Sequence, residues 1–144
     1  MDPQIQEETR SEWRELGFFY ERDDGAREWR LIGSRDGLVR FATLLRAYAA
    51  DPGHTMKSEH QHYGPYMYLE IMTWPQAGMD DHSIHGPLDA LERLASLVEM
   101  KVAGVEPGER ARLRDEFAPG ATYSLVFDVR HDGFDPASAD QSLQ

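Results

Sequence analysis

Cysteine is absent from the 144 residues, so disulfides and thiolate metal sites are excluded, as suits a reducing compartment. No apolar run approaches the roughly 20 residues that a membrane-spanning helix requires. Met1 to Glu12 lack the basic stretch and apolar block of a secretory signal, and these absences together point to a cytoplasmic protein without a membrane partner. Neither a Gly-x-Gly-x-x-Gly nor a Walker pattern occurs, which removes the common phosphate cradles, and no Gly-x-Ser-x-Gly elbow presents a nucleophilic serine. Positive charge is scarce: 15 basic residues face 26 acidic ones, for a formal charge of -11. That field repels nucleic acid and anionic lipid, and it draws in a basic protein.

What is present is ordinary globular material. A hydrophobic fraction of 40% beside 28% charged residues is enough for a core, and the length fits a single domain over residues 1–144. The polar ends, 1–12 and 131–144, are expected to be loosely ordered.

Asp23-Asp24-Gly25 lies between Gly17-Phe18-Phe19-Tyr20-Glu21 and Glu28-Trp29-Arg30-Leu31-Ile32, a hairpin pattern in which glycine accepts the turn's positive φ. Ser34 stands where a helix N-cap belongs, and Leu38, Phe41, Leu45 and Tyr48 follow at helical spacing until Asp51-Pro52-Gly53 ends the run. Thr55 to Trp74 reads as a second hairpin turning at Gly64-Pro65. In that register His60 and His62 share the core face with Met67, Leu69 and Ile71, while Glu59, Gln61, Tyr66, Tyr68 and Glu70 occupy the other. Ser83-Ile84-His85 reads as a short edge strand. Gly86-Pro87 opens a second helix with a stripe of Leu88, Leu91, Ala95, Val98 and Val102, and Pro107 opens a third containing Leu113 and Phe117. Tyr123, Leu125, Phe127 and Val129 alternate as a half-buried strand should. The expected fold is therefore α+β, in the order ββαββ(β)ααβ, with a mainly antiparallel sheet and helices on one face.

Three constellations could carry function. Tyr66, Tyr68 and Trp74 gather near Glu59, Glu70, Asp80 and Asp81, an aromatic and acidic surface suited to a basic protein and needing no cofactor. His60 and His62, at i, i+2 spacing, with His82, His85 or Asp81, could build a metal site for an enzyme. Glu59 and Glu70, if opposed across the hairpin, would form a carboxylate pair of the acid–base type. A homodimer through the exposed sheet face is a further reading.

Gly33-Ser34-Arg35-Asp36-Gly37-Leu38 leading into Leu44-Leu45-Arg46-Ala47, then a histidine-containing strand and Tyr68-Leu69-Glu70-Ile71, resembles the small α+β immunity proteins of bacterial polymorphic toxin systems. The resemblance covers about residues 33–73. It implies a bacterial, acidic, non-catalytic domain that binds and blocks a cognate toxin, often a nuclease. Glu59-His60-Gln61-His62-Tyr63-Gly64-Pro65-Tyr66 matches no family motif, so the resemblance assigns no site residue.

Overall fold

The structure, a computed structural model, describes residues 2–143. Met1 and Gln144, at the ends of the two segments expected to be loose, lie outside them.

The polar leader forms a helix, α1 (Pro3–Leu16). The Asp2 carboxylate accepts the Gln4 N–H at 2.7 Å, and Pro3 fills the first turn, where a missing N–H leaves nothing unpaired. Gly17, at φ 97, closes the helix with its N–H on the Trp13 carbonyl. The expectation of a loose 1–12 segment is thus corrected: the helix buries Thr9 and Trp13 and leaves its remaining polar residues outward or half-covered.

Strands β1 (Phe19–Asp23) and β2 (Glu28–Ser34) pair antiparallel as expected, but the left-handed residue of their connection is Arg27, at φ 53, and not Gly25. The Ser34 hydroxyl accepts the Gly37 N–H at 3.1 Å and starts α2 (Arg35–Ala50), which buries Leu38, Phe41, Leu45 and Tyr48. Gly37 permits the entry of this helix, because a Cβ there would lie 2.1 Å from the Gly17 carbonyl oxygen. Strands β3 (His60–Tyr63), β4 (Leu69–Thr73), β5 (Gly78–Met79) and β6 (Ile84–Gly86) precede α3 (Leu88–Ala103), whose buried stripe is Leu91, Leu94, Ala95, Val98 and Val102.

The third helix expected after Pro107 does not form. Arg110 to Leu113 is strand β7, with Ala111 and Leu113 turned inward and Arg110 and Arg112 outward, a period of two that the one-turn spacing of Leu113 and Phe117 obscured. The chain finishes with β8 (Ser124–Arg130) and a short 3₁₀ turn, Pro136–Ala139.

The fold is α+β and mainly antiparallel, with two four-stranded sheets where one was expected. The larger has the order β1-β2-β8-β7 and the smaller β3-β4-β6-β5, each with a parallel pair at its centre and antiparallel strands outside. Helices α2 and α3 pack on each other, α2 also contacting β2 and β8 and α3 contacting β6 and β7. Helix α1 lies instead against the C-terminal 3₁₀ turn, which also covers β1 and β2. Residues 131–143 are therefore packed rather than loose, with Ala137 and Asp140 buried. Apart from Val126, the buried apolar side chains among the described residues join in one cluster drawn from both sheets and all three helices. Among the described residues, no helix is long and apolar enough to cross a membrane.

Side chains on the inner face of the β1–β2 hairpin tie the two sheets together. The Trp29 indole donates to the Asp80 carbonyl at 2.8 Å, Arg22 donates to the Asp81 carbonyl at 2.7 Å, and the Tyr20 hydroxyl donates to the Tyr63 carbonyl. The Tyr20 oxygen also accepts the Tyr68 N–H at 3.1 Å. One tyrosine thus fixes both ends of the β3–β4 connection.

Candidate functional site

The β3–β4 hairpin forms, but its register differs from the one read at Gly64-Pro65. His60 pairs with Met72, Gln61 with Ile71, His62 with Glu70 and Tyr63 with Leu69. Directly opposed residues share a face, so His60 and His62 sit with Glu70 and Met72, while Leu69 and Ile71 enter the core. The reason lies in the connection from Gly64 to Tyr68, which is longer than a tight turn and contains two left-handed residues, Gly64 at φ 84 and Met67 at φ 62. An uneven turn reverses the face of every histidine on the strand before it.

Two parts of the sequence reading are corrected. Glu59 and Glu70 are not opposed, since the Glu59 carbonyl accepts the Thr73 N–H at 2.8 Å and Glu70 faces His62, so the carboxylate pair is not built. Tyr63 offers no acid or base near neutrality either, because burial, with the nearby Tyr48 phenol adding to it, pushes its phenol up to about 12. The four histidines also separate. His60, His62 and Glu70 place one ligand atom each within 4.8 Å of the others, whereas His85 bonds Ser83 Oγ at 2.8 Å and His82 projects into solvent beside Asp81.

The seven residues expected to form one partner surface distribute over the molecule. Trp74 is half-buried beneath the Lys57 ammonium, 4.5 Å from its ring centre. Glu59 is exposed at the start of β3, and Glu70 belongs with the histidines. Asp80 is spent on its own turn, its carboxylate accepting the N–H groups of His82 and Ser83, both at 2.9 Å.

Tyr66, Tyr68 and Asp81 gather around a different feature. A cleft of about 440 Å³ runs between Tyr66 and Tyr68 on one side and Phe19, Glu21 and Arg22 of β1 on the other. Tyr66 is held there by hydrogen bonds from its hydroxyl to Asp140 at 2.6 Å and with Ser142 at 2.8 Å. Tyr68, whose ring centre is 6.1 Å from that of Tyr66, is 68% exposed, and Met67 before it is 55% exposed. Arg22 reaches from the cleft to the Asp81 carbonyl and pairs with Asp24 at 2.7 Å, while Glu21 on the cleft wall pairs with Arg30 at 3.1 Å. Sequence reasoning missed Glu21, Asp24 and Asp140. Asp24 was visible only as a turn residue, and Asp140 lay in a tail with no periodic apolar pattern to announce packing.

No protein-family model matches this chain, and no curated protein or solved structure shows significant similarity to it.

Proposed function

We propose that this chain is a non-catalytic protein-binding module for a basic protein partner, acting as an immunity-type inhibitor that covers the partner's working surface. The observation that carries the reading is the exposed Met67–Tyr68 tip. Two adjacent large side chains stand in solvent at a turn whose backbone is fixed, with Met67 in a left-handed conformation and the Tyr68 N–H bonded to Tyr20. A β-unbranched residue at positive φ is uncommon and persists where its surroundings enforce it. Tyrosine beside a cleft is the kind of anchor that dominates binding energy, since it loses little side-chain entropy on docking, and methionine adds an adaptable apolar contact.

Charge supports the partner's class. The chain carries -11 overall, and the cleft wall includes the part-exposed Glu21 carboxylate, so a lysine- or arginine-rich surface gains on approach. The immunity-protein resemblance points to the same kind of partner.

The test uses the product of the gene adjacent to the one encoding this chain. Calorimetric titration of the two purified proteins should give a one-to-one complex that weakens as salt is raised and weakens further when Tyr68 is replaced by alanine. An adjacent product that does not bind, or binds the Tyr68→Ala variant equally well, removes the reading.

A further inference from the structure

The outer face of the smaller sheet carries an arrangement that partner binding does not explain. Glu70 is mostly shielded, with its side chain 17% exposed, and among the described residues its carboxylate accepts no hydrogen bond. Among the described residues, the Nε2 atoms of His60 at 3.9 Å and His62 at 3.8 Å are the ionisable nitrogens that face it within 4 Å. Such separations are too long for N–H···O hydrogen bonds, which close to roughly 2.7–3.2 Å.

The tautomers decide what those nitrogens offer. His60 Nδ1 lies 3.0 Å from the Ser58 carbonyl, and His62 Nδ1 lies 3.0 Å from the Met67 carbonyl. A carbonyl oxygen only accepts, so Nδ1 carries the hydrogen in both rings and the Nε2 of each neutral ring presents a lone pair. Two lone pairs and a carboxylate then converge with no donor between them. A positive centre placed between them would meet all three acceptors at once.

We infer that His60, His62 and Glu70 form a binding site for a zinc-class divalent transition-metal ion. A tetrahedral ion with bonds of roughly 2.0–2.2 Å holds its ligand atoms about 3.3–3.6 Å apart, so side-chain rotations that draw in the observed 3.8 and 3.9 Å and the atoms now within 4.8 Å of one another complete the site. Backbone carbonyls that fix the Nδ1–H tautomer are the usual outer support of histidine ligands. The residues come from paired strands, β3 and β4, with His62 directly across from Glu70, so the sheet register itself sets their spacing. Two histidines and one carboxylate favour zinc-class ions over magnesium or calcium, which prefer all-oxygen sites. With His60 48% and His62 39% exposed, the remaining coordination position faces solvent. The site is also linked to the Met67–Tyr68 tip, because the carbonyl that supports His62 belongs to Met67.

The experiment is calorimetric titration of untagged, chelator-stripped and dialysed chain with Zn²⁺ alone, repeated with Co²⁺ to follow its visible absorption and with Mg²⁺. One Zn²⁺ per chain is expected, with a four-coordinate Co²⁺ spectrum and no Mg²⁺ binding. His62→Ala and the near-isosteric Glu70→Gln should each weaken Zn²⁺ by at least about tenfold, while His82→Ala, outside the cluster and 81% exposed, should leave it unchanged. Circular dichroism confirms that each variant is folded, and loss of Zn²⁺-dependent shifts at the His60 and His62 ring protons in folded Glu70→Gln supports the assignment independently of the heat signal. Absence of saturable one-to-one binding overturns it. So does equal affinity in folded Glu70→Gln, or an equal loss in His82→Ala.

Discussion

The indole of Trp13 donates a hydrogen bond to Asp140 Oδ2 at 2.9 Å, joining the N-terminal helix to the C-terminal turn. The same oxygen accepts the Tyr66 hydroxyl at 2.6 Å, and the other carboxylate oxygen accepts from Ser142. The Trp13 ring also meets Phe19, Tyr20 and Tyr66. One buried carboxylate thus gathers both termini and one wall of the cleft.

Trp13→Phe keeps most of the ring packing and removes one donor from a charged acceptor, which should destabilise the chain by about 1–3 kcal/mol in urea unfolding. Burial opposes ionisation of Asp140, but the Ser142, Tyr66 and Trp13 donors together outweigh it and hold the carboxyl below its ordinary value. A folded pKa below the unfolded one contributes stability above the unfolded value and loses it as pH falls. The gap between wild type and Trp13→Phe should therefore narrow on acidification below the ordinary aspartate range, as measured by midpoints at successive pH values.

Gly64 and Tyr20 are mutually dependent. At φ 84, with the Tyr20 ring 2.4 Å from where a Cβ would stand, Gly64→Ala combines backbone strain with a clash against a held ring. A loss of about 2–4 kcal/mol is expected in urea unfolding. Tyr20→Phe removes the hydroxyl that serves Tyr63 and Tyr68 and should lose about 1–2 kcal/mol, with faster amide exchange at Tyr68.

Glu116 titrates far below the usual glutamate range, to about 2, because the Lys101 ammonium at 2.5 Å and the backbone N–H groups of Glu116 and Arg114 favour its charged form. Its contribution is present above roughly pH 4.5 and disappears as pH falls towards 2. Glu116→Gln should accordingly be less stable than wild type at neutral pH and converge with it in that acid window. Thermal unfolding of the two proteins between pH 7 and pH 2 checks the sign, and a gap that widens in acid would contradict it.

Much of the scaffold was legible because local signals agreed. The Asp-Gly hairpin, the Ser34 cap, the α2 and α3 stripes and the alternation of Tyr123 to Val129 all fell where structure followed. Helix α1 escaped because its buried face is narrow: only Thr9 and Trp13 are fully covered, although Asp2-Pro3 and the spacing Ile5, Thr9, Trp13 and Leu16 carried a capped-helix pattern. Strand β7 was hidden by arginines at alternate positions, which read as surface in any element. The histidines were noticed but turned to the wrong face, because the parity of a hairpin is set by turn conformation, and Met67 at positive φ is not foreseeable from a methionine. Glu70 was consequently separated from the residues it faces. Neither the split into two sheets nor the long-range contacts of Tyr20, Arg22 and Trp29 that join them leaves a record in sequence spacing.

The most direct test is the paired measurement of stability and partner affinity for Tyr68→Ala. Tyr68 is exposed, its hydrogen bond to Tyr20 is made by the backbone N–H, and its ring centre is 6.1 Å from that of Tyr66, so unfolding should shift by no more than about 0.5 kcal/mol. Affinity for the adjacent basic protein should drop by at least about tenfold, a loss of roughly 1.4 kcal/mol or more. A folded variant that binds as tightly as wild type would contradict the assignment of the tip as the anchor.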